Sequence, residues 1–319
     1  MEQAETTGTV TSTYAEIAKV FRHAMVYGVA SVTSGVIGFI MIPVYTRCLS
    51  PAEYGIVELL QLTSNVLGIV LGMGFGTAVL RFYFQYDSER DRHEVISTAL
   101  AVLVAVGTGV TILLLFGSEW LGRLVLGESG YGLFAALMLL TSLFGLVLIV
   151  PLAYVRALER SALYGGIAIG RLLLGLTLNI VFVVVLRMGV LGVLLSALVV
   201  ALVSAIGLLG GTLRKVRLAV SRVKLRQMAT YGGPLVPASL SMFVLHFADR
   251  FFLERAASLE QVGLYALGYK FAMMLPMLVM EPFGLVWGAA MFAVAKRDDA
   301  RDIYGKVCTY FFCVATFFA

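Results

Sequence analysis

The sequence contains few charged residues for its length. Asp, Glu, Lys and Arg together make up 13% of its 319 residues, whereas 60% are hydrophobic, and the mean hydropathy is +0.94. Soluble domains usually carry about 25% charged and about 45–50% apolar residues. A chain with so few charges cannot cover a water-facing surface, and we therefore predict that most of it lies in lipid.

Cysteine and histidine are also scarce, with three residues of each type. The cysteines are scattered without the spacing of a disulfide framework or a metal site, and the histidines have no partners at metal spacing. We therefore predict no metal and no cofactor. The net charge of +5 comes from short basic runs between apolar stretches, a distribution that argues against nucleic acid as a partner.

Long apolar runs dominate the rest of the sequence. A membrane-spanning helix needs about 20 mostly apolar residues, which eight stretches provide, and a ninth begins near Tyr304. The eight predicted spans are residues 23–46, 55–79, 95–117, 131–154, 163–186, 189–212, 229–252 and 262–289. The fold class is therefore predicted as all-α, a polytopic transmembrane helix bundle.

The basic residues predict how these spans are oriented. If the N-terminus lies in the cytoplasm and the spans alternate, seventeen Lys and Arg residues fall on the cytoplasmic side and five at or near the outside. Cytoplasmic loops of membrane proteins carry an excess of positive charge. We therefore expect a multi-pass membrane protein with a cytoplasmic N-terminus.

Residues after position 213 repeat a pattern found near the beginning of the chain. The pairs are Arg22 with Arg226, Tyr27 with Tyr231 and Gly28 with Gly232 at an offset of 204, and Ser50 with Ser258 and Gly55 with Gly263 at an offset of 208. A repeat with an even number of spans between its copies predicts the parallel topology of two-lobed transporters. The match includes only a few residues, so chance similarity is the alternative interpretation.

The repeat and the basic loop after the sixth span predict how the chain divides. We expect a polar tail at residues 1–18, a six-span lobe at 19–213, a basic cytoplasmic linker at 214–228 and part of a second lobe at 229–319. This second lobe would hold two spans and the start of a third. We therefore expect the sequence to be a fragment of a two-lobed protein.

Three segments resemble a known family of transporters. They are PVYTRCLSPAEYGI (43–56), YGGPLVPASLSMFVLHFADRFFL (231–253) and VGLYALGYKFA (262–272). These segments resemble the first outer hairpin, the seventh helix and the opening of the eighth helix of the Wzx-type polysaccharide flippases. That family belongs to the superfamily that also holds MATE drug exporters and MurJ-type lipid II flippases.

The resemblance implies a MATE-like fold and a substrate class. The expected substrate is undecaprenyl diphosphate carrying a short oligosaccharide, moved across the membrane for O-antigen, capsule or exopolysaccharide assembly. The sugar head would cross through a cationic cavity between two lobes while the lipid tail stays in the bilayer. The expected partners are thus a lipid-linked oligosaccharide and membrane lipids, with H⁺ or Na⁺ as an optional coupling ion.

Arg171 is the strongest candidate for a substrate-binding residue. An ionisable side chain inside a span costs about 2.5–3.5 kcal/mol on insertion scales and usually faces a cavity or a partner. Arg171 lies about nine residues into the fifth span, too deep to reach the cytoplasmic surface easily. We predict that it binds the diphosphate, with a structural ion pair or a snorkelled side chain as alternatives.

The eighth span carries a stripe that combines charge with methionine. At about 100° per residue, one narrow face of a helix presents Lys270, Met274, Met277 and Glu281. Such a stripe suits the path of an amphipathic cargo, with Lys270 as a substrate contact and Glu281 as a coupling or gating group. The alternative is that the methionines pack between lobes and the two charges are incidental.

The remaining candidates are charged residues on the second span and at predicted outer helix ends. Glu58 shares a face with small and polar residues, which favours helix packing, although a carboxylate there also suits a coupling proton. Arg47 and Arg250 are candidates for substrate contacts and Asp249 for gating. At a helix end, however, a solvated or interfacial charge needs no function.

Two other classes of function compete with the flippase. A cation-coupled exporter of the MATE type would normally place carboxylates within the first lobe, where Glu58 is the one candidate. A membrane glycan enzyme would need a sizeable loop with carboxylates or a histidine, and no loop exceeds about twenty residues between the predicted spans. We therefore predict a transporter and not an enzyme.

Overall fold

The computed structural model describes residues 41–216, 218–273, 283, 287 and 299–318, and within these residues the chain is helical with no strand. Residues 41–48 form a helical segment, and a π-helix (Ile180–Val185) and twelve α-helices follow it within the described residues. The α-helices are α1 (Pro51–Gly72), α2 (Phe75–Gln85), α3 (Glu89–Phe116), α4 (Ser118–Leu126), α5 (Gly132–Ala157), α6 (Ser161–Asn179), α7 (Gly189–Leu213), α8 (Arg222–Gly232), α9 (Leu235–Phe247), α10 (Asp249–Ala256), α11 (Leu259–Ala272) and α12 (Ala300–Phe318). The all-α prediction is confirmed.

Six helical stretches in the described part are long and apolar enough to cross a membrane. They are Pro51–Gln85, Glu89–Phe116, Gly132–Ala157, Ala162–Val185, Gly189–Leu213 and Arg222–Phe247. These stretches correspond to the second to seventh predicted spans, so the prediction of a multi-pass helix bundle is confirmed. Most of the first predicted span, and the eighth beyond Met273 apart from residues 283 and 287, lie outside the described residues.

The second predicted span consists of two helices, α1 and α2. Between them Met73 and Gly74 adopt left-handed backbone conformations, with φ of 45° and 66°. A Cβ on Gly74 would lie 2.8 Å from the carbonyl oxygen of Gly232, so only glycine lets α8 approach this break. The break therefore marks a close crossing of two backbones.

The seventh predicted span is divided into α8, α9 and α10. The first break contains Pro234, which has no N–H to continue a helical hydrogen-bond ladder. The second break lies at Ala248, directly before the candidate residues Asp249 and Arg250. In addition, α8 begins at Arg222, so the second half of the 214–228 segment predicted as a linker is helical.

We call the two ends of the bundle the Ser50 end and the Arg81 end. At the Ser50 end α1 begins with a capping box, in which the Ser50 hydroxyl accepts from the Glu53 N–H and the Glu53 carboxylate accepts from the Ser50 N–H. At the Arg81 end lie α2, the start of α3 and the helix α8. The Ser50 end is the predicted outer side and the Arg81 end the predicted cytoplasmic side.

Helices α1, α5 and α7 form the centre of the bundle. One apolar cluster at the Arg81 end joins α2, α3, α5 and α8, and a second at the Ser50 end joins α1, α4, α5, α7 and α11. Helix α6 is peripheral, because its described side chains belong to neither cluster. It packs mainly on α7 and forms the far wall of the cavity described below.

Candidate functional site

A cavity of about 980 Å³ lies between α1, α5, α6, α7 and α9. Its polar lining comes from Tyr45, Gln61, Ser64, Asn65, Thr141, Ser142, Arg171, Asn179, Ser196, Ser239 and His246. Among the described residues that line it, Arg171 is the only permanently charged group and none is acidic. The cavity therefore combines one fixed positive charge with hydroxyl and amide groups.

Arg171, which the sequence analysis predicted to bind the diphosphate, reaches the cavity from α6. Its Nε atom is buried without a hydrogen-bond partner, and no described carboxylate forms an ion pair with its guanidinium. A guanidinium that faces a cavity without an acidic lining residue can form charge-assisted hydrogen bonds to an anionic ligand. This arrangement suits a residue that binds an anion.

Asn179 extends the same face of α6 into the cavity. Arg171, Gly175 and Asn179 are spaced four residues apart and all line the cavity. The Tyr45 hydroxyl donates to Asn179 Oδ1 at 2.9 Å, and Asn179 Nδ2 donates to the Gly175 carbonyl at 2.9 Å. The helix changes to π-helical geometry at Ile180, directly after Asn179, a feature that is frequent at functional sites.

On the facing wall, α1 presents polar side chains to the cavity. Ser64 and Ser142 share a hydrogen bond of 2.7 Å that joins α1 to α5. Gln61 and Asn65 lie one turn apart, and within the described residues their side chains form no hydrogen bond. Their amide groups thus remain available to a ligand with hydroxyl groups.

Glu58 lies at the centre of a separate charge cluster near the Ser50 end. One of its carboxylate oxygens is 3.6 Å from Arg250 Nε, and the other is 3.1 Å from Lys270 Nζ. Arg250 is 1% and Glu58 7% exposed. Asp249 completes the set with an oxygen 3.3 Å from an Arg250 terminal nitrogen, and we call these four residues the Glu58 cluster.

Tyrosine side chains contact the Glu58 cluster. The Lys270 ammonium donates to the Tyr54 hydroxyl at 2.7 Å, and the Tyr265 hydroxyl donates to Asp249. The Arg250 guanidinium lies 4.3 Å from the centre of the Tyr269 ring. Two cations and two carboxylates balance one another, so the cluster is internally neutral and joins α1 to α10 and α11.

Arg250 is buried, whereas a charge at a predicted helix end is expected to be solvated. The break at Ala248 starts a new helix there, and Arg250 is held between Glu58 of α1 and the tyrosines of α11. Neither Arg250 nor Lys270 is among the described residues that line the cavity. Arg250 and Lys270 thus lie apart from Arg171, although the sequence analysis predicted all three as substrate contacts.

Two glycines permit the close contact of α1 with α11 beside this cluster. A Cβ on Gly55 would overlap the Leu259 carbonyl oxygen, and a Cβ on Gly263 would overlap the Pro51 carbonyl oxygen. Gly263 and Leu259 stand at an offset of 208 from Gly55 and Pro51, so the contact is reciprocal. This geometry supports the repeat that was read from the sequence.

Two further candidates from the sequence, Arg47 and Glu281, have no described partner or lie outside the described residues. Arg47 is exposed and forms no ion pair within the described residues. Glu281, with Met274 and Met277 of the same stripe, lies outside the described residues. Asn179 was missed by the sequence analysis, although its spacing of eight residues from Arg171 on one helix face is a signal that points to it.

Comparisons with known proteins place this chain in a family. The model for "Polysaccharide biosynthesis protein" matches residues 20–288. The chain belongs to this family. Lsg locus putative protein 1 of Haemophilus influenzae is 24% identical over 261 residues, which are 80% of this chain and 62% of that protein. The chain therefore spans less than two thirds of the length of this relative.

Solved structures of MATE transporters share the fold. The MATE multidrug transporter DinF-BH aligns with a TM-score of 0.59 and 19% identity over 80% of this chain and 60% of that chain. An inward-facing MATE family transporter of the MOP superfamily aligns with a TM-score of 0.55 and 20% identity over 84% of this chain and 63% of that chain. The predicted MATE-like helix bundle is confirmed.

Proposed function

We propose that the protein moves undecaprenyl-diphosphate-linked oligosaccharide across the bacterial cytoplasmic membrane for the assembly of surface polysaccharide. Residues 19–213 would form one lobe, residues 229–319 part of a second, and the N-terminus would be cytoplasmic. The observation that carries the proposal is Arg171, a cation without a described counter-ion in a cavity whose described lining has no acid. Membership of the polysaccharide biosynthesis family supports the same substrate class.

The chemistry of the cavity matches the two parts of such a head group. A guanidinium binds phosphate oxygens through paired, charge-assisted hydrogen bonds. The amides of Gln61 and Asn65 and the hydroxyl of Thr141 suit the donors and acceptors of a sugar. A volume of about 980 Å³ lies at the upper end of the usual range for ligand sites, which is about 300–1,000 Å³.

A cation-coupled exporter is the second candidate, because MATE transporters share the fold. Coupling to H⁺ or Na⁺ requires a carboxylate that is free to bind the ion. Glu58, the sequence candidate in the first lobe, is already held by Arg250 and Lys270. Both of its oxygens lie at ion-pair distance from these two cations, so this carboxylate is not free to take up a coupling ion, and this observation favours the flippase.

Complementation of a flippase-deficient bacterium tests the proposal. The full-length gene is introduced into a strain that lacks its own O-antigen flippase, and surface polysaccharide is stained. We expect wild-type protein to restore polysaccharide, Arg171→Gln to lose most of this activity, and Arg123→Gln, a change at an exposed arginine of α4, to retain it. Absence of polysaccharide in several strains with different glycans, with the wild-type protein present in the membrane, would contradict the proposal.

A further inference from the structure

A second cavity of about 470 Å³ lies between α5, α6 and α7 at the Arg81 end. Its lining is mostly aliphatic, with contributions from Leu158, Leu163, Ile167, Leu174, Val203 and Leu208. We call it the α6–α7 groove. Leu163 and Val203, on the two helices, are 46% and 52% exposed, so the groove opens to the outside of the described bundle.

Glycines keep the α6–α7 groove open. Gly170 of α6 and Gly207 and Gly211 of α7 line it, and a Cβ added at any of these positions would meet no atom within 4 Å. These glycines are therefore not required for helix contact, unlike Gly55 and Gly263. Larger side chains at these positions would fill the groove without pushing against the protein.

Charge is distributed unevenly around the groove. Arg160 and Lys215 line it at the Arg81 end, Arg171 lines it toward the middle of the bundle, and none of its described lining residues is acidic. Arg171 also lines the central cavity, so the groove and the cavity share this side chain. A ligand that reaches both must therefore carry negative charge where its apolar part meets its polar part.

We propose that the α6–α7 groove holds the first isoprene units of the cargo, with the diphosphate at Arg171 and the glycan in the central cavity. This inference rests on the proposed function. A bilayer phospholipid matches the aliphatic lining and the positive charge equally well. It lacks, however, an extended polar part beyond its phosphate to occupy a cavity of about 980 Å³, which a lipid-linked oligosaccharide provides.

Photolabelling with a polyprenyl diphosphate tests the groove directly. The full-length protein in detergent is irradiated with a polyprenyl diphosphate that carries a benzophenone in its first isoprene units, and the labelled peptides are mapped. We expect labels on α6 and α7 between residues 163 and 211. Gly207→Leu should reduce labelling by roughly tenfold, because the new side chain displaces hydrocarbon that is otherwise buried.

Gly109→Leu is the matched control for this substitution. Gly109 lies on α3, is exposed, lines neither cavity in the described structure, and a Cβ there also meets no atom within 4 Å. Labelling should remain at the wild-type level in this variant. Equal labelling in Gly207→Leu, or labels confined to other helices, would overturn the groove assignment.

Competition for the photolabelled site distinguishes binding of the cargo from binding of ordinary membrane lipid. Excess unlabelled undecaprenyl diphosphate should abolish labelling, whereas the same excess of phosphatidylglycerol should leave most of it. If phosphatidylglycerol competes equally well, the groove is a phospholipid site and the inference fails. Complementation by the wild-type gene is scored independently, so loss of the groove assignment is distinguishable from loss of the proposed function.

Discussion

Arg171 and Arg250 are both arginines of predicted membrane spans, and their surroundings are opposite. Arg250 is 1% exposed and lies against Glu58, Asp249 and the ring of Tyr269. Arg171 has no ion pair with any described carboxylate, and it faces a cavity of about 980 Å³. Arg250 is neutralised by carboxylates of the protein, whereas Arg171 has no counter-ion among the described residues.

The difference distinguishes a residue that joins helices, Arg250, from the residue that we propose to contact cargo, Arg171. A buried ion pair contributes little net stability, yet the loss of one partner leaves an uncompensated charge and is expensive. The Glu58 cluster therefore fixes how α1 meets α10 and α11. Substitution of Arg171 should instead affect ligand binding with little cost to the fold.

Lys224, a second buried cation, joins two helices at the Arg81 end. Its ammonium lies 2.6 Å from an Asp91 oxygen and 2.8 Å from a Glu94 oxygen, and it fastens α8 to α3. The described seventh span is thus attached to the preceding helices by paired charges near both of its ends. The cavity that contains Arg171 lies between these attachments.

The largest effect on stability is expected for Glu58→Ala. Two cations lose their shared carboxylate, and removal of one partner of a buried ion pair costs about 3–5 kcal/mol. Thermal unfolding of the full-length protein in detergent should show a clear loss of stability, while Glu128→Ala, at an exposed position, should not. Equal stability of both variants would mean that the Glu58 cluster does not hold the helices together.

The next effect is expected for Gly55→Ala. The new methyl group would overlap the Leu259 carbonyl, and overpacking of this kind typically costs about 1–3 kcal/mol. Gly68→Ala lies on the same helix, where a Cβ meets no atom within 4 Å, and it serves as the control. That variant should be neutral or slightly stabilised in the same assay, and a loss equal to that of Gly55→Ala would refute the close contact.

A smaller effect is expected for Tyr54→Phe. This substitution removes the hydroxyl that accepts a hydrogen bond from Lys270 at 2.7 Å and leaves the ring in place. A hydrogen bond to a charged group contributes about 1.5–3 kcal/mol when buried, but Lys270 retains Glu58, so about 1 kcal/mol is expected here. Unfolding that is indistinguishable from wild type would show that the hydroxyl is not part of the cluster.

The smallest effect on stability is expected for Arg171→Gln. No described partner is lost, so the unfolding free energy should change by less than about 0.5 kcal/mol. Arg250→Gln, the same chemical change at the paired arginine, should lower stability by several times this amount. If both variants are destabilised alike, the contrast between the two arginines is wrong.

The spans and the breaks within them were predictable to different degrees. Continuous apolar runs indicate spans because lipid offers no hydrogen bonds to an exposed backbone, and six of them appear as helices. The left-handed Met73 was not predictable, since it depends on the crossing with Gly232, which is distant in sequence. Local patterns thus determine the elements, and contacts between them determine the breaks.

The same distinction applies to the site residues. The depth of Arg171 in its span was enough to predict a cavity-facing cation. The burial of Arg250 was not readable from its position near a helix end, because it requires the break at Ala248 and the packing of α1 on α11. Counter-ions come from other helices, and a single sequence does not show which helices meet.

Ligand-induced stabilisation of wild-type and Arg171→Gln protein tests the central claim most directly. A ligand that binds only the folded state stabilises it by an amount that grows with ligand concentration and affinity. With undecaprenyl diphosphate, the unfolding temperature of the wild-type protein should rise in a concentration-dependent way, and Arg171→Gln should lose most of this shift. An equal shift in both proteins would contradict the assignment of Arg171 as the residue that binds the diphosphate.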